Sequence, residues 1–392
     1  MIKPADRIKD VKPYYFVKKL EQVRQLKEQG HDVINFGIGS PDLAPDNSVI
    51  EELTRSAHSP KNHGYQPYGG LPEFKNAICN WYKKTYKVDF STENILPLAG
   101  SKEGILHTTL AFVNPGDEVL IPNPGYPTYR SLSTLLGAKV IDYNLTEEND
   151  WQLDFEELER LVSPKTTLIW VNYPHMPTGA PAEQSKMEQL ITFAKKHNIL
   201  ICHDNPYSLV LNTDEPLSIF QLEGAKDVAI EFNSLSKSHN MAGWRVGMIL
   251  GDNLIINNLL RVKSNIDSGM FKGTQQAAIE ALNLPLTWHD TRNSTYKERQ
   301  LWLFKIYDLL DISYDKKQLG MFVWGRPNRN SPALDINDFI NTCLEELHIF
   351  FTPGEIFGSN GSSYIRASLC VDIEQIKTAY SRLSNHYNKK TA

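Results

Sequence analysis

Cysteine is scarce in this chain of 392 residues, which holds four: Cys79, Cys202, Cys343 and Cys370. They are scattered without metal-ligand spacing, which excludes a structural zinc site or a disulfide scaffold. They read as buried thiols in a reducing cytoplasm. Long apolar runs are also missing, so no membrane span is expected, and the first residues lack the apolar core of a signal peptide. Charge of one sign is not in excess, with 41 Lys and Arg against 46 Asp and Glu and a formal charge of −5. Without a basic footprint, nucleic acid and anionic membrane are excluded as expected partners. There is no internal repeat, no low-complexity tract, no Ser/Gly linker and no GxxxxGK[ST] loop. Gly37-Ile38-Gly39 lacks the third glycine of a dinucleotide fingerprint, and Pro41 blocks a helix there.

What the chain does have is alternation. A helical pattern within 6–30 stops at Gly30, and 33–36 reads as a short strand. Apolar runs at 95–98, 118–121, 140–143, 167–171, 200–202, 228–232 and 246–250 read as strands, with helix-like segments such as 102–112, 155–161 and 186–197 between them. That order predicts an α/β fold with a mainly parallel sheet covered on both faces. Beyond about residue 285 helical patterns at 296–310, 336–347 and 373–386 accompany short strands near 321–324, 349–351 and 364–367. These predict a smaller α+β domain. The expected division is 36–285 for the large domain, and 1–35 together with 286–392 for the small domain and N-terminal arm. The chain is long enough for two cores, and a cleft between them is the natural site.

Ligands in such sheets bind beyond the carboxyl ends of the strands, so the residues after each strand carry the chemistry. Gly100, Ser101 and Lys102 open a helix whose free N–H groups suit a phosphate, although an ordinary serine cap has the same appearance. Tyr126, in a proline-shaped turn, could stack on a planar ligand or simply pack. Asp204 follows an apolar strand, where a carboxylate needs a cation or donor, and Tyr207 follows it. Lys237 sits among Ser234, Ser236 and Ser238, eight residues before Arg245 in a Gly-Trp-Arg-Val-Gly stretch. Each has a bland structural reading of its own. Together they supply an imine-forming amine, a phosphate clamp, a partner for a protonated ring nitrogen, a ring stacker and a phenolate donor. One common cofactor needs all five, pyridoxal 5'-phosphate.

The Ser-x-Ser-Lys…Gly-Trp-Arg-x-Gly signature, placed after Asp204-x-x-Tyr207 and the Pro177-Thr178-Gly179 turn, resembles the class I/II aminotransferases of pyridoxal-phosphate fold type I. The resemblance is strongest to the subgroup holding LL-diaminopimelate and alanine aminotransferases. It implies that Lys237 forms the internal aldimine and shuttles the substrate α-proton, that Asp204 pairs with the ring nitrogen, and that Tyr207 donates to the ring phenolate. It places Tyr126 on the ring face and Gly100, Ser101, Lys102, Ser234, Ser236 and Arg245 at the phosphate, with Asn172 on the cofactor side. Arg366 matches the arginine that grips the substrate α-carboxylate, and Gly39 the glycine facing that group. Tyr65 matches a tyrosine that reaches the phosphate of a neighbouring subunit, which implies a homodimer. The implied reaction is ping-pong transfer of an amino group from an L-amino acid to a 2-oxo acid, the amino acid being LL-diaminopimelate, alanine, aspartate or another.

One position departs from the family pattern. The residue before Pro-Thr-Gly is usually an asparagine that donates to the phenolate, and here it is Met176, preceded by His175. A thioether cannot donate. The departure keeps a catalytically weak member among the readings, with Asn172 and His175 as candidates to compensate. A C–S lyase on the same fold would use the same lysine, aspartate and arginine. Regulators of this fold carry an extra N-terminal DNA-binding domain, and this chain reaches Gly39 too soon to hold one.

Overall fold

The computed structural model describes residues 2–9, 15–328 and 335–391, so part of the expected N-terminal helical stretch, 10–14, lies outside the described residues. Eight strands come first: β1 (Ile34–Asn35), β2 (Ile95–Leu98), β3 (Glu118–Asn123), β4 (Lys139–Asn144), β5 (Thr166–Asn172), β6 (Leu200–Asp204), β7 (Ala229–Ser234) and β8 (Gly247–Gly251). Seven of them form one sheet in the order β2-β8-β7-β6-β5-β3-β4. Strand β8 runs antiparallel to both β2 and β7, and the other pairings are parallel. The expectation of a mainly parallel sheet holds, and the reversed strand has a consequence. The entry of β8, just after Arg245, lies at the same sheet edge as the exits of β2, β5, β6 and β7.

Burial on both faces explains why these strands read as near-continuous apolar runs. Along β5, Leu168 and Trp170 join one core while Ile169 and Val171 join another on the opposite face, as the two-residue period of a strand requires. Helices Ser101–Phe112, Phe155–Leu161 and Gln184–His197 fall within two residues of expectation. The second of these starts sharply because the Asp154 carboxylate caps the N–H groups of Glu156 and Glu157.

The later strands are β9 (Ile312–Tyr314), β10 (Phe322–Pro327), β11 (Ile349–Phe350), β12 (Thr352–Pro353) and β13 (Ile365–Ser368). Four make an antiparallel sheet, β12-β13-β10-β9, and β1 pairs in parallel with β11. A third core joins Val23, Val33 and Phe36 from the N-terminal segment to Leu303, Phe322, Phe351 and Ile365. Met176 and Tyr207, which come from loops of the large sheet, are buried in this same cluster. The cluster therefore closes over the carboxyl edge of the seven-stranded sheet, and a cavity lies between.

Candidate active site

That cavity has a volume of about 410 Å³. Gly39, Ser101, Lys102, Tyr126, Asn172, Asp204, Tyr207, Ser234, Ser236, Lys237, Arg245 and Arg366 all line it, and so does Met176. Gly100 is not among the lining residues but directly precedes Ser101, which is. Tyr65 is elsewhere, 91% exposed on the surface of the chain.

Lys237 is not in an open loop. It lies on a one-turn helix, Leu235–Ser238, that continues β7. Ser234 caps the turn, its hydroxyl accepting from the Ser236 N–H at 3.1 Å. The Lys237 ammonium donates to the carbonyl of Gly39. Burial depresses the amine below the usual lysine range, Cys370 acts in the opposite sense, and Arg366 and Arg245 add to the depression. Asp204 is the last residue of β6. Its Oδ2 accepts from the Tyr129 hydroxyl at 2.6 Å, while its buried Oδ1 has no hydrogen-bond partner among the described residues. Burial pushes this carboxyl up to about 6, against the opposing effect of the Tyr129 bond.

One pole of the cavity is built from backbone. Gly100 is the N-cap of helix Ser101–Phe112 with φ +86°, a left-handed conformation that favours glycine. A Cβ on Gly100 would also strike the Arg245 guanidinium. A Cβ at Gly247 would come within 2.7 Å of the Ser101 nitrogen. These glycines hold open a cradle at a helix N-terminus, where N–H groups and the helix dipole favour an anion. Behind it, buried Lys263 donates to Glu103 at 2.7 Å and Glu103 accepts from the Ala99 N–H, fixing the loop. Gly100→Ala is expected to weaken pyridoxal phosphate binding by roughly 10- to 100-fold, from about 1–3 kcal/mol of backbone strain and displacement of Arg245. Fluorescence titration of the unloaded protein measures this, and unchanged affinity would mean that the cradle does not hold the phosphate.

At the opposite pole Arg366, on β13, donates to the Gly37 carbonyl at 2.9 Å and to the Met176 sulfur at 3.4 Å. Its guanidinium carbon lies 3.9 Å from the Phe322 ring centroid and 4.6 Å from that of Phe357. The loop carrying Gly37 and Gly39 is anchored by Asp42, paired bidentately with Arg299 at 2.7 and 2.8 Å. Of the two residues named as candidates to compensate for Met176, Asn172 lines the cavity and His175 does not. The Asn172 side chain donates to the Asp204 carbonyl at 2.6 Å and accepts from the Met176 N–H at 2.8 Å. His175 is buried outside the cavity lining, Nδ1 against the Thr178 hydroxyl at 2.8 Å, and burial pushes it down to about 3.

Sequence reasoning missed several of these groups. Tyr129 lies three residues after Tyr126 on helix Pro127–Leu135, and that spacing was its one available signal. Phe322 and Phe357 carry no local signal in the sequence. Arg292, on helix Leu286–Leu309, is buried and donates to the carbonyls of Ser238 and Leu209. It braces the Lys237 turn against the Tyr207 loop.

The family profile "Aminotransferase class I and II" matches residues 31–383. An LL-diaminopimelate aminotransferase of Aquifex aeolicus is 38% identical over 98% of this chain and 99% of its own. One of Maridesulfovibrio salexigens is 39% identical over 97% and 98%. Substrate-bound BacF from Bacillus subtilis superposes with a TM-score of 0.93 at 33% identity, covering 98% of both chains. The chain belongs to the class I and II aminotransferases. Like other aminotransferases it is an enzyme of amino-group transfer, and the family implies pyridoxal phosphate as its cofactor. The residues present fit that group. A buried carboxylate oxygen without a partner suits a protonated ring nitrogen, and a glycine-lined helix N-terminus suits the phosphate. Among the described residues, no helix is long and apolar enough to cross a membrane.

Proposed function

We propose that this aminotransferase holds pyridoxal phosphate at Lys237 and moves an amino group from an L-amino acid to a 2-oxo acid. The observation that carries the reading is the unpartnered Asp204 Oδ1 in the cavity that Lys237, Arg245 and Arg366 share. Bound there, the cofactor supplies a carbonyl carbon for the lysine and an electron sink for the substrate α-carbon. The chain's own residues do the rest. Lys237 Nζ takes the α-proton and returns it, a task its lowered pKa suits. Arg366 offers its planar fork to the α-carboxylate. Tyr207 presents a hydroxyl that burial keeps protonated, and Tyr126, which lines the cavity, would stack on the ring. Lys102 lines the phosphate pole beside Ser101, its amine lowered by burial and by Arg245.

A homodimer belongs to the same proposal. Tyr65, exposed in the single chain, would reach the phosphate of a second copy. The division at residues 36–285 and a cytoplasmic location are part of it too, the latter supported by four free cysteines. The relatives' names favour transfer over elimination. Single amino acids added to loaded enzyme should convert the absorbance of the lysine-bound cofactor to that of its amine form. Conversion by no amino acid would sink the reading. Release of pyruvate and ammonia without an acceptor would replace it with a lyase.

Met176→Asn is expected to lower the pKa of the lysine–cofactor linkage by about one unit. The new amide can donate to the ring oxygen, and a charge-assisted hydrogen bond is worth about 1.5–3 kcal/mol. Spectral titration of both proteins measures it; an equal or higher value in the variant would mean the ring oxygen is already satisfied.

A further inference from the structure

We infer that the amino acid this enzyme takes carries an apolar side chain, an inference that rests on the reading of the site given above. The charged residues lining the cavity are Lys102, Asp204, Lys237, Arg245 and Arg366. The reading engages each of them: at the phosphate, the ring nitrogen, the reacting carbon and the α-carboxylate. No further carboxylate, ammonium or guanidinium among the described residues lines the cavity. The wall left for a substrate side chain is Leu20, Ile38, Met176, Phe322 and Phe357, with the Ser40 hydroxyl at the mouth.

These residues come from separate stretches that converge on the cavity, three of them, Met176, Phe322 and Phe357, against Arg366. Leu20 lies on helix Tyr15–Glu28, Ile38 follows β1, Phe322 opens β10, and Phe357 ends the 3-10 turn Gly354–Phe357. The Phe322 and Phe357 rings lie 3.9 and 4.6 Å from the Arg366 guanidinium carbon. A carboxylate held on that guanidinium therefore has its α-carbon and side chain beside apolar surface. Phe322 is fixed there by the backbone, since a Cβ on Gly39 would overlap its ring. The thioether of Met176 adds a soft, adaptable surface. The segment that a second copy would contribute with Tyr65, residues 64–70, contains no charged residue either.

LL-diaminopimelate, for which the Aquifex relative is named, ends in a second ammonium and a second carboxylate. Against this wall both would lose water and gain no partner. A leucine, methionine or phenylalanine side chain would bury apolar surface at the same place. Discrimination between the two classes is expected to be on the order of 10²-fold in kcat/KM, the scale on which apolar pockets reject polar groups.

The test uses loaded enzyme with two readouts. Half-reaction rates are measured with L-leucine, L-methionine, L-phenylalanine, LL-diaminopimelate, L-aspartate and L-glutamate. Calorimetry then measures binding of two unreactive carboxylates, 3-phenylpropanoate and glutarate. The three apolar amino acids are expected to react fastest, and 3-phenylpropanoate to bind more tightly than glutarate. Leu20→Lys is expected to raise glutarate affinity by about fivefold. LL-diaminopimelate or aspartate reacting fastest, with glutarate the tighter ligand, would overturn the inference while leaving the aminotransferase reading intact. Conversion by no amino acid would instead overturn that reading, and the order of the two carboxylates would still decide the character of the wall. Unchanged ligand preference in Leu20→Lys would remove Leu20 from the wall and overturn the inference as drawn.

Discussion

Lys237→Ala is expected to abolish transamination, by at least about 10³–10⁴-fold, while leaving a protein that still binds pyridoxal phosphate. The loss combines a missing covalent anchor with a missing base, and a positioned general base alone contributes about 10²–10⁴-fold. Retained binding follows because the cradle proposed to take the phosphate is made of Ser101, Ser234 and backbone at Gly100 and Gly247, which the substitution does not touch. A rival amine lines the same cavity, Lys102, whose pKa burial also lowers. Borohydride reduction of loaded enzyme followed by peptide mass analysis separates the two. The label should sit on the peptide containing Lys237 and vanish in the variant. A label on Lys102 would reassign the anchor. The pH dependence has a definite sign as well. Because the folded environment lowers the Lys237 pKa below its ordinary 10.5, the neutral amine accumulates at lower pH than for free lysine. The rate of cofactor capture by unloaded protein should therefore rise with pH through a midpoint below that value.

Much of this arrangement is legible in the sequence alone, and the reason is specific to strand ends. In a sheet buried on both faces the apolar runs mark the strands, and the polar residues that end them must face the one open edge. Asn172, Asp204 and Ser234 are the last residues of β5, β6 and β7, so their convergence follows from counting strands. Arg245 converges for a different reason: β8 is reversed, and the residue before it enters at the edge where the others leave. Alternation alone does not give that reversal. What stayed hidden depends on packing across long sequence separations. Tyr129 reaches Asp204 from 75 residues away, and Arg292 reaches Ser238 from 54. Neither is marked by local pattern. The apolar wall was hidden for the opposite reason, since Phe322 and Phe357 look like any core residue until Arg366 is placed beside them. Met176 combines both cases. Its departure from the family was visible in the sequence, but its contact with Arg366 was not. The side chain lines the cavity and accepts from Arg366, so on the proposed reading one substitution there bears on both the linkage pKa and substrate preference.

Asp204→Asn should exchange activity for stability, with opposite effects in the unloaded and loaded protein. In the unloaded protein the Asp204 carboxyl is pushed up to about 6 from an ordinary 3.8. A raised folded-state pKa means that the neutral form is favoured by folding. The native protein is thus free of the penalty below the unfolded value of 3.8, and acquires it as pH rises through about 6. A carboxyl raised that far costs the folded state about 3 kcal/mol once it is ionised. Asparagine keeps the shape and can still accept the Tyr129 hydrogen bond, but it never ionises. Unloaded Asp204→Asn is therefore expected to be more stable than the native chain by about 3 kcal/mol at roughly pH 8, and the difference should shrink on acidification below about pH 6. Loading reverses the order. A protonated ring nitrogen supplies the partner that Asp204 Oδ1 lacks, so the native protein gains more from the cofactor than the variant does. Activity should fall by roughly 10²–10³-fold, the scale for losing a fixed group aimed at a reacting charge. Urea unfolding of both proteins, with and without pyridoxal phosphate and across pH, reads the stability changes, and half-reaction rates read the loss of activity. Equal stability of the unloaded proteins in mild alkali would show that the carboxylate is already satisfied. The cofactor would then have to be held by something other than the unpaired oxygen of Asp204.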